Sequence, residues 1–478
     1  MQRVMLWEII KSTLMELNMT TQDITTQKIN LKQRLSLDKK NRLSILYFFI
    51  LLIPFCGSRM LNMDPKTSYA NILTVLNMLA MMAFFIQFPL ASRLKNLSLF
   101  KNIDWSIARH KTIGKWLGVV FLLHPILILA PRFLVSFDDG ITSLVEVVTA
   151  PQMLTGLIAW GLLILWVLLS IYKNKLPISY ESWRLMHLVG FISIAIFATL
   201  HITTVGSHGQ FQSNFNLVWW MLCCSSLLLV IYNYIFKPSR LKKEPFILTE
   251  ITKVSSSDWK ITVEKQQGED FYFEAGQFVW LNTSESVHGV KEHPFSIASC
   301  QSDLPKISFV IRELGDYTSH LSTLQVGQNV YLDGPYGSMS INETNKAKGI
   351  TLIAGGAGLG PMLSLLRGFA AKNEQRPIRL IYGNNTFAQM ALLDEINAIK
   401  EQMTDFELRL VCQEKLINEN VYEGLIDKHC IELSIDIDQV DNWAFYLCGP
   451  KAMTRAVTQS LKSLHIRKSN IHYEQLSF

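Results

Sequence analysis

The sequence predicts a multidomain membrane protein in three parts: an all-α six-span transmembrane bundle, an antiparallel β-barrel, and an α/β doubly wound domain. Three observations predict it. The 478 residues are 49% hydrophobic and only 18% charged, too apolar for a soluble enzyme of this length. The apolar surplus lies before Lys237, in runs at 43–58, 70–90, 112–130, 153–172, 185–203 and 216–236, most of them long enough to cross a bilayer. After Lys243 the texture changes to short strand-like stretches, and from Gly349 to strands alternating with helices. The boundaries that follow are an N-terminal segment over 1–42, a bundle over 43–237, a barrel over 244–340 and a doubly wound domain over 348–478.

Charge fixes the orientation of the bundle. The segments at 1–43, 91–116, 172–184 and 237–243 hold 8, 6, 3 and 4 Lys or Arg, whereas the alternate loops at 57–69, 131–152 and 204–216 hold 2, 1 and 0. Basic residues stay on the cytoplasmic side, so six spans with both termini cytoplasmic are expected. The net charge of +6 is thereby explained by membrane topology and gives no reason to expect nucleic acid. Met1 to Leu17 carries Glu8, Lys11 and Glu16, so it lacks the uncharged core of a signal peptide. It reads as an interfacial helix or an upstream start.

Seven cysteines at 56, 223, 224, 300, 412, 430 and 448 show none of the spacings of a thiolate zinc site or a plant-type iron–sulfur domain. Histidine is more informative. His110 with His124, and His187 with His201, are each separated by fourteen residues, nearly four full helical turns, so each pair shares a helix face at about 21 Å along the axis. Both helices start in the cytoplasm, which puts His110 level with His187 and His124 level with His201. Ionisable residues inside spans are costly and usually functional, and imidazole is a natural axial ligand for haem iron. Two b-type haems, each clamped between two helices, satisfy all four. The bland alternative is four isolated hydrogen-bonding histidines. Copper or non-haem iron requires a cluster at one depth, which the spans do not supply. His208 falls in an outer loop and reads as a surface residue.

In the barrel, His293-Pro294-Phe295-Ser296 places a hydroxyl and backbone groups on a strand that suits an isoalloxazine edge. The stretch Ile311 to Thr318 supplies Arg312, whose rigid fork suits a pyrophosphate, and Gly334-Pro335-Tyr336-Gly337 forms a turn at the barrel exit. Gly355-Gly356-Ala357-Gly358-Leu359-Gly360-Pro361 follows a strand and opens a helix, so its amides and the helix N-terminus form an anion site for a dinucleotide. Cys448-Gly449-Pro450 again ends a strand and begins a helix, at the sheet edge where nicotinamide lies. Cys448 also reads as a small buried residue.

These motifs together resemble the ferric reductase and NADPH oxidase family, whose members join a six-span, two-haem domain to a ferredoxin–NADP reductase-type module. The resemblance runs from about residue 41 to the C-terminus, with both histidine pairs and the HPFSI, IRELGDYT, GPYG, GGAGLGP and YLCGP stretches in family order. It implies FAD against His293, Pro294, Phe295 and Ser296, with its phosphates on Arg312 and Thr318. It implies NADH or NADPH on Gly355, Gly356, Gly358, Gly360 and Pro361, and resembles the family in a C-terminal aromatic, Phe478, stacked on the flavin. Phe478 and Cys448 are the residues expected nearest the hydride step, with Gly449 and Pro450 shaping the turn. One departure concerns the dinucleotide. Many bacterial relatives have Arg after Tyr-Gly-Asn, whereas this chain has Tyr382-Gly383-Asn384-Asn385, hydrogen-bonding groups without charge.

The function that follows is transmembrane electron transfer in a bacterial cytoplasmic (inner) membrane. Electrons pass from cytoplasmic NAD(P)H through FAD, to the inner haem (His110, His187), the outer haem (His124, His201) and an acceptor on the far face. Dioxygen, giving superoxide, and chelated ferric iron are both candidate acceptors. The rival readings are an electron-relay subunit that serves a protein partner, and a membrane-anchored flavin reductase without haem. No EF-hand loop suggests calcium control.

Overall fold

The computed structural model describes residues 45–63, 67–94, 103–206, 212–266, 271–341, 347–414, 421–435 and 442–473. The N-terminal segment over 1–42, His208 and Phe478 lie outside the described residues.

Among the described residues, five helices are long and apolar enough to cross a membrane. They are α2 (Ser68–Ala91), α3 (Ile103–Val135), α5 (Leu154–Ile171), α6 (Tyr180–Val205) and α7 (Ser213–Ile231), preceded by a shorter apolar helix α1 (Ile45–Met60). The six apolar runs thus appear as five full-length spans and one helix of marginal length. α2 and α6 start at serine or threonine caps: Thr67 accepts from the Ala70 amide and Ser179 from that of Ser182. Close packing needs small residues, and a Cβ added at Gly190 of α6 would run into the Trp166 ring of α5. The outer connection at 131–152, expected as a loop, instead contains a helix α4 (Phe137–Thr149) capped by Ser136. Its Phe137, Val145 and Val148 are exposed, as suits a helix lying at a membrane interface. α7 runs on through one π turn (Tyr232–Phe236) into α8 (Lys237–Leu241), which leads into the next domain.

That domain is antiparallel. Its strands are β1 (Phe246–Lys253), β2 (Asp258–Lys265), β3 (Phe278–Asn282), β4 (His293–Ser296), β5 (Lys306–Arg312) and β6 (Asn329–Tyr336), in the order β4-β3-β6-β1-β2-β5. A bridge between Ile297 and Phe309 links the two ends of this order. Leu248, Ile261, Val279, Leu281 and Phe309 fill its core. A short helix α9 (Asp316–Ser319) follows β5.

The last domain is a parallel sheet with helices, as the alternation predicts. β7 (Gly349–Gly355), α10 (Leu359–Ala371), β8 (Ile378–Asn384), α11 (Leu393–Gln402), β9 (Phe406–Cys412), β10 (Val421–Glu423), α12 (Lys428–Glu432), β11 (Trp443–Cys448), α13 (Lys451–Ser463) and β12 (Ile471–Tyr473) follow in turn. The strand order is β10-β9-β8-β7-β11-β12. β7 is buried along its whole length, as a strand covered on both faces must be, which is why it reads as a continuous apolar run. The chain reverses direction across the sheet between β7 and β11. Ligands bind at such a switch point, and the glycine turn after β7 and Cys448-Gly449-Pro450 after β11 flank it.

Candidate functional site

Three arrangements line up from the bundle to the parallel sheet. The first is the histidine pair expected at the inner depth. His110 on α3 and His187 on α6 face each other with ring centres 6.4 Å apart and planes at 74°. Two imidazoles sharing one metal through bonds of about 2 Å each stand about 6 Å apart centre to centre, so this spacing fits bis-histidine ligation. The Nδ1 atoms of His110 and His187 are buried without a hydrogen-bond partner among the described residues, an arrangement that costs free energy unless a bound group compensates. Trp183 and Phe191 flank the His187 ring at 4.9 and 4.6 Å. Among the described residues no group of three or more His, Cys, Asp or Glu gathers as a metal cluster.

The residues expected at the outer depth are held differently. His124 Nδ1 lies 3.1 Å from Asn77 Oδ1, which fixes the ring orientation. His201 Nδ1 is buried without a hydrogen-bond partner among the described residues. The His201 ring is seated against Gly156 at the start of α5, where an added Cβ would stand 2.5 Å from Nδ1. That glycine is the cradle for the ring.

The second arrangement is the junction between bundle and antiparallel domain. His293 Nε2 lies 2.8 Å from Glu181 Oε1 in the first turn of α6, and its ring stacks on Tyr317 at 4.0 Å. Phe295 stacks on the other side of the same tyrosine at 6.0 Å. Burial holds the His293 imidazole below its ordinary value although Glu181 pulls it up, so it is neutral near pH 7. Glu292 pairs with Arg93 and, at 2.8 Å, with Arg184. Asp333 lies 3.1 Å from Arg93 and 2.8 Å from Lys237. Trp280 lies under both guanidiniums, at 4.5 Å for Arg93 and 5.3 Å for Arg184. Burial alone would push the Glu292 carboxyl up, but Arg93 and Arg184 overcome it and hold it at about 2. Sequence reasoning read these cations only as topology signals and missed Glu292 and Asp333, which no local motif marks, and from the IRELGDYT stretch it gave roles to Arg312 and Thr318 but none to Tyr317.

The third arrangement is the cleft between the antiparallel and parallel domains. Ser296, at the end of β4, lies against Gly360: a Cβ there would meet the Ser296 carbonyl at 3.7 Å. Gly356 has φ +54°, a left-handed conformation that glycine adopts freely. A Cβ on Gly358 would collide with the Cys448 carbonyl, and one on Gly355 with Met453. Only glycines allow the turns after β7 and β11 to close on each other. Cys448 is half-buried and pairs with Ala354 of β7. Pro361 is buried in the first turn of α10, and Pro450 caps α13.

The polar groups expected at the nucleotide sites are also engaged within the protein. Arg312 does not present an open fork: its Nε and Nη2 donate to Asp258 Oδ1 and Oδ2 at 2.9 Å each, and Nη2 also to Asn384 Oδ1 at 2.9 Å. Its Nη1 faces Gly356, joining β5 to the glycine turn. Asp258, almost fully buried, needs this charged partner. Asn384 is likewise occupied, donating to Tyr382 Oη at 3.1 Å and the Gln389 carbonyl at 2.8 Å. Asn385 Oδ1 accepts from Gln413 at 3.2 Å. Thr318 Oγ1 accepts from the amides of Leu314 and Gly315 at 2.8 and 3.0 Å, so it shapes the α9 turn.

Comparison with known families now places this arrangement. Residues 71–203, which contain all four histidines, match the family described as "Ferric reductase like transmembrane component". The chain has a ferric reductase-like transmembrane domain. Residues 246–340 match the FAD-binding domain and 352–459 the oxidoreductase NAD-binding domain, so the ferric reductase-like domain precedes a flavin and nicotinamide module in the order of the family that the sequence resembles. The reductase component of propane 2-monooxygenase from Mycolicibacterium smegmatis is 31% identical over 216 residues, covering 43% of this chain and 60% of that protein. The electron transfer component of toluate 1,2-dioxygenase from Pseudomonas putida is 27% identical over 233 residues, covering 48% and 66%. The flavohem-like FAD/NAD-binding domain of nitric oxide dioxygenase from Vibrio cholerae is a similar solved structure, at 21% identity and TM-score 0.43, covering 48% and 97%. The chain thus spans under two thirds of the length of these two curated relatives, and the ferric reductase-like bundle makes it an integral membrane protein.

Proposed function

We propose that this protein is a transmembrane oxidoreductase that moves electrons from cytoplasmic NADH or NADPH to dioxygen or a ferric chelate on the opposite face. The observation that carries this reading is the convergence of His110 and His187 at the bundle end where the His293 strand docks. The reading has six spans, α1 included, with both termini in the cytoplasm and the antiparallel sheet closed as a barrel. His110 with His187, and His124 with His201, would each hold one haem. The β4 strand, His293 to Ser296, and the α9 turn would hold FAD, with the nicotinamide nucleotide on Gly355–Pro361 and beside Cys448. Bound there, FAD accepts two electrons as hydride and releases them singly, and each haem iron accepts one.

The chain's own part is positioning. Ser296 beside Gly360 brings the flavin strand against the nucleotide turn, the geometry that proximity catalysis demands. The amides at the start of α10 and the Arg312 Nη1 group, which faces Gly356, would be available to a pyrophosphate. His293, neutral and stacked on Tyr317, offers a hydrogen bond and no charge. No side chain in the bundle is required to move a proton.

Proteoliposomes loaded with a ferric chelate test the reading. NADH added outside should reduce the enclosed iron, or consume oxygen, through chains whose nucleotide domain faces outward. Flavin reduction with no electron appearing inside would contradict it.

A further inference from the structure

The basic residues that flank the spans do more than set orientation. Topology requires charge near a helix end, not its burial. Yet the side chains of Arg93, Arg184 and Lys237 are only 11%, 15% and 14% exposed, against carboxylates at 14% for Glu292 and 6% for Asp333. The signs are sorted by domain. The cations come from three places in the bundle: just after α2, the second turn of α6, and the start of α8. Both carboxylates come from the antiparallel domain. Buried pairs are little screened by salt, and a buried ion pair specifies an arrangement better than it adds stability. An apolar contact of the same area would let the domain slide.

Sequence connectivity shows what is being held. Glu292 is the residue immediately before His293 on the β4 strand, and Arg184 lies three residues, about one helical turn, before His187 on α6. One ion pair therefore pins the strand of the flavin site to the helix of the inner histidine pair. The Glu181–His293 hydrogen bond joins the same two elements a second time.

We propose that Glu292, gripped by Arg184 and Arg93, is the positioning residue that sets the electron-transfer geometry between the flavin site and the His110–His187 pair. This rests on the functional reading above. With FAD and haem bound, the transfer it sets would oxidise FADH⁻ to FAD in two single-electron steps, each reducing one ferric iron to ferrous, with the proton passing to water.

The test uses the full-length protein with Glu292→Gln, Arg184→Met and the milder Glu292→Asp. Anaerobic stopped-flow with NADH reads flavin bleaching and haem reduction separately, and hydrogen exchange reads docking at β3, β6 and the start of α6. Expected are flavin reduction and cofactor contents near wild type, with haem reduction slowed about tenfold or more in Glu292→Gln and Arg184→Met, because small displacements of reacting partners cost large factors in rate. Glu292→Asp, which keeps the charge, should recover part of the loss. Exchange at the three docking segments should rise in step. Haem reduction at the wild-type rate in the first two variants overturns the proposal. If the wild-type protein holds no haem, the functional reading fails, and unchanged exchange in the variants overturns the docking role as well.

Discussion

Glu181 Oε1 on α6 lies 2.8 Å from His293 Nε2 on β4, so the helix that carries His187 and the strand that carries the flavin motif share a hydrogen bond. Two segments 112 residues apart in sequence are thereby held in one register. Four predictions follow from this junction, its neighbouring histidines and the nucleotide cleft.

Gly156→Val should abolish the outer haem selectively. A Cβ at 156 enters the space of the His201 ring, 2.5 Å from Nδ1, and His201 has no room to keep its place while a branched side chain fills it. Haem content should fall by half, as in His201→Leu, while NADH still bleaches the flavin. Two haems retained in both variants would show that His201 is not a ligand.

The junction carries its own pH signature. With its carboxyl held at about 2 against an ordinary 4.5, Glu292 contributes stability that is complete above pH 4.5 and is lost as pH falls towards 2. That amounts to roughly 3 kcal/mol at neutral pH. The stability gap between wild type and Glu292→Gln should be flat from pH 8 to 5 and close at about 1.4 kcal/mol per pH unit below 4.5. Thermal unfolding in detergent across that range measures it. A gap that persists undiminished at pH 3 would contradict the pairing.

NADH should serve at least as well as NADPH. At the ends of β8 and β9, Asn384 accepts from Arg312, whose charge is paired with Asp258, Asn385 meets Gln413, and the carboxylate of Glu414 accepts the Phe387 amide at 3.2 Å. A carboxylate suits ribose hydroxyls and repels a 2′-phosphate. Ratios of kcat/KM decide, and a preference for NADPH above about 100-fold, nearly 3 kcal/mol, would contradict it.

Phe478→Ser should change KM for NAD(P)H and flavin fluorescence without changing haem content. The last described strand, β12, ends at Tyr473 beside Leu447 of β11, one residue from Cys448 and the sheet edge where nicotinamide is expected. An aromatic ring there offers a flat apolar cover for the flavin. Unaltered nucleotide kinetics and fluorescence would return Phe478 to a packing role.

The layout of the chain was legible because its signals are periodic and local. Apolar runs located the bundle helices, and the fourteen-residue spacing selected His110 and His187, whose rings converge. The glycine turn after β7 was legible because only glycine tolerates its contacts. What could not be read depends on partners far apart in sequence. Arg312 suits a phosphate by chemistry, but its fork is filled by Asp258 from the neighbouring strand, a pairing set by strand register. Arg93, Arg184 and Lys237 look like any flanking basic residues until the antiparallel domain brings carboxylates to them. Helix α4 was missed because an amphipathic segment of 13 residues is too short to stand out against the spans on either side.

The central claim, that the two histidine pairs hold iron porphyrin, is tested most directly by the haem-to-flavin ratio of the purified protein, read from the pyridine haemochrome and from released FAD. The account predicts two b-type haems and one FAD per chain, with one haem lost in His110→Leu or His187→Leu and one in His201→Leu. One FAD with no haem, or a haem content unmoved by these substitutions, would contradict it.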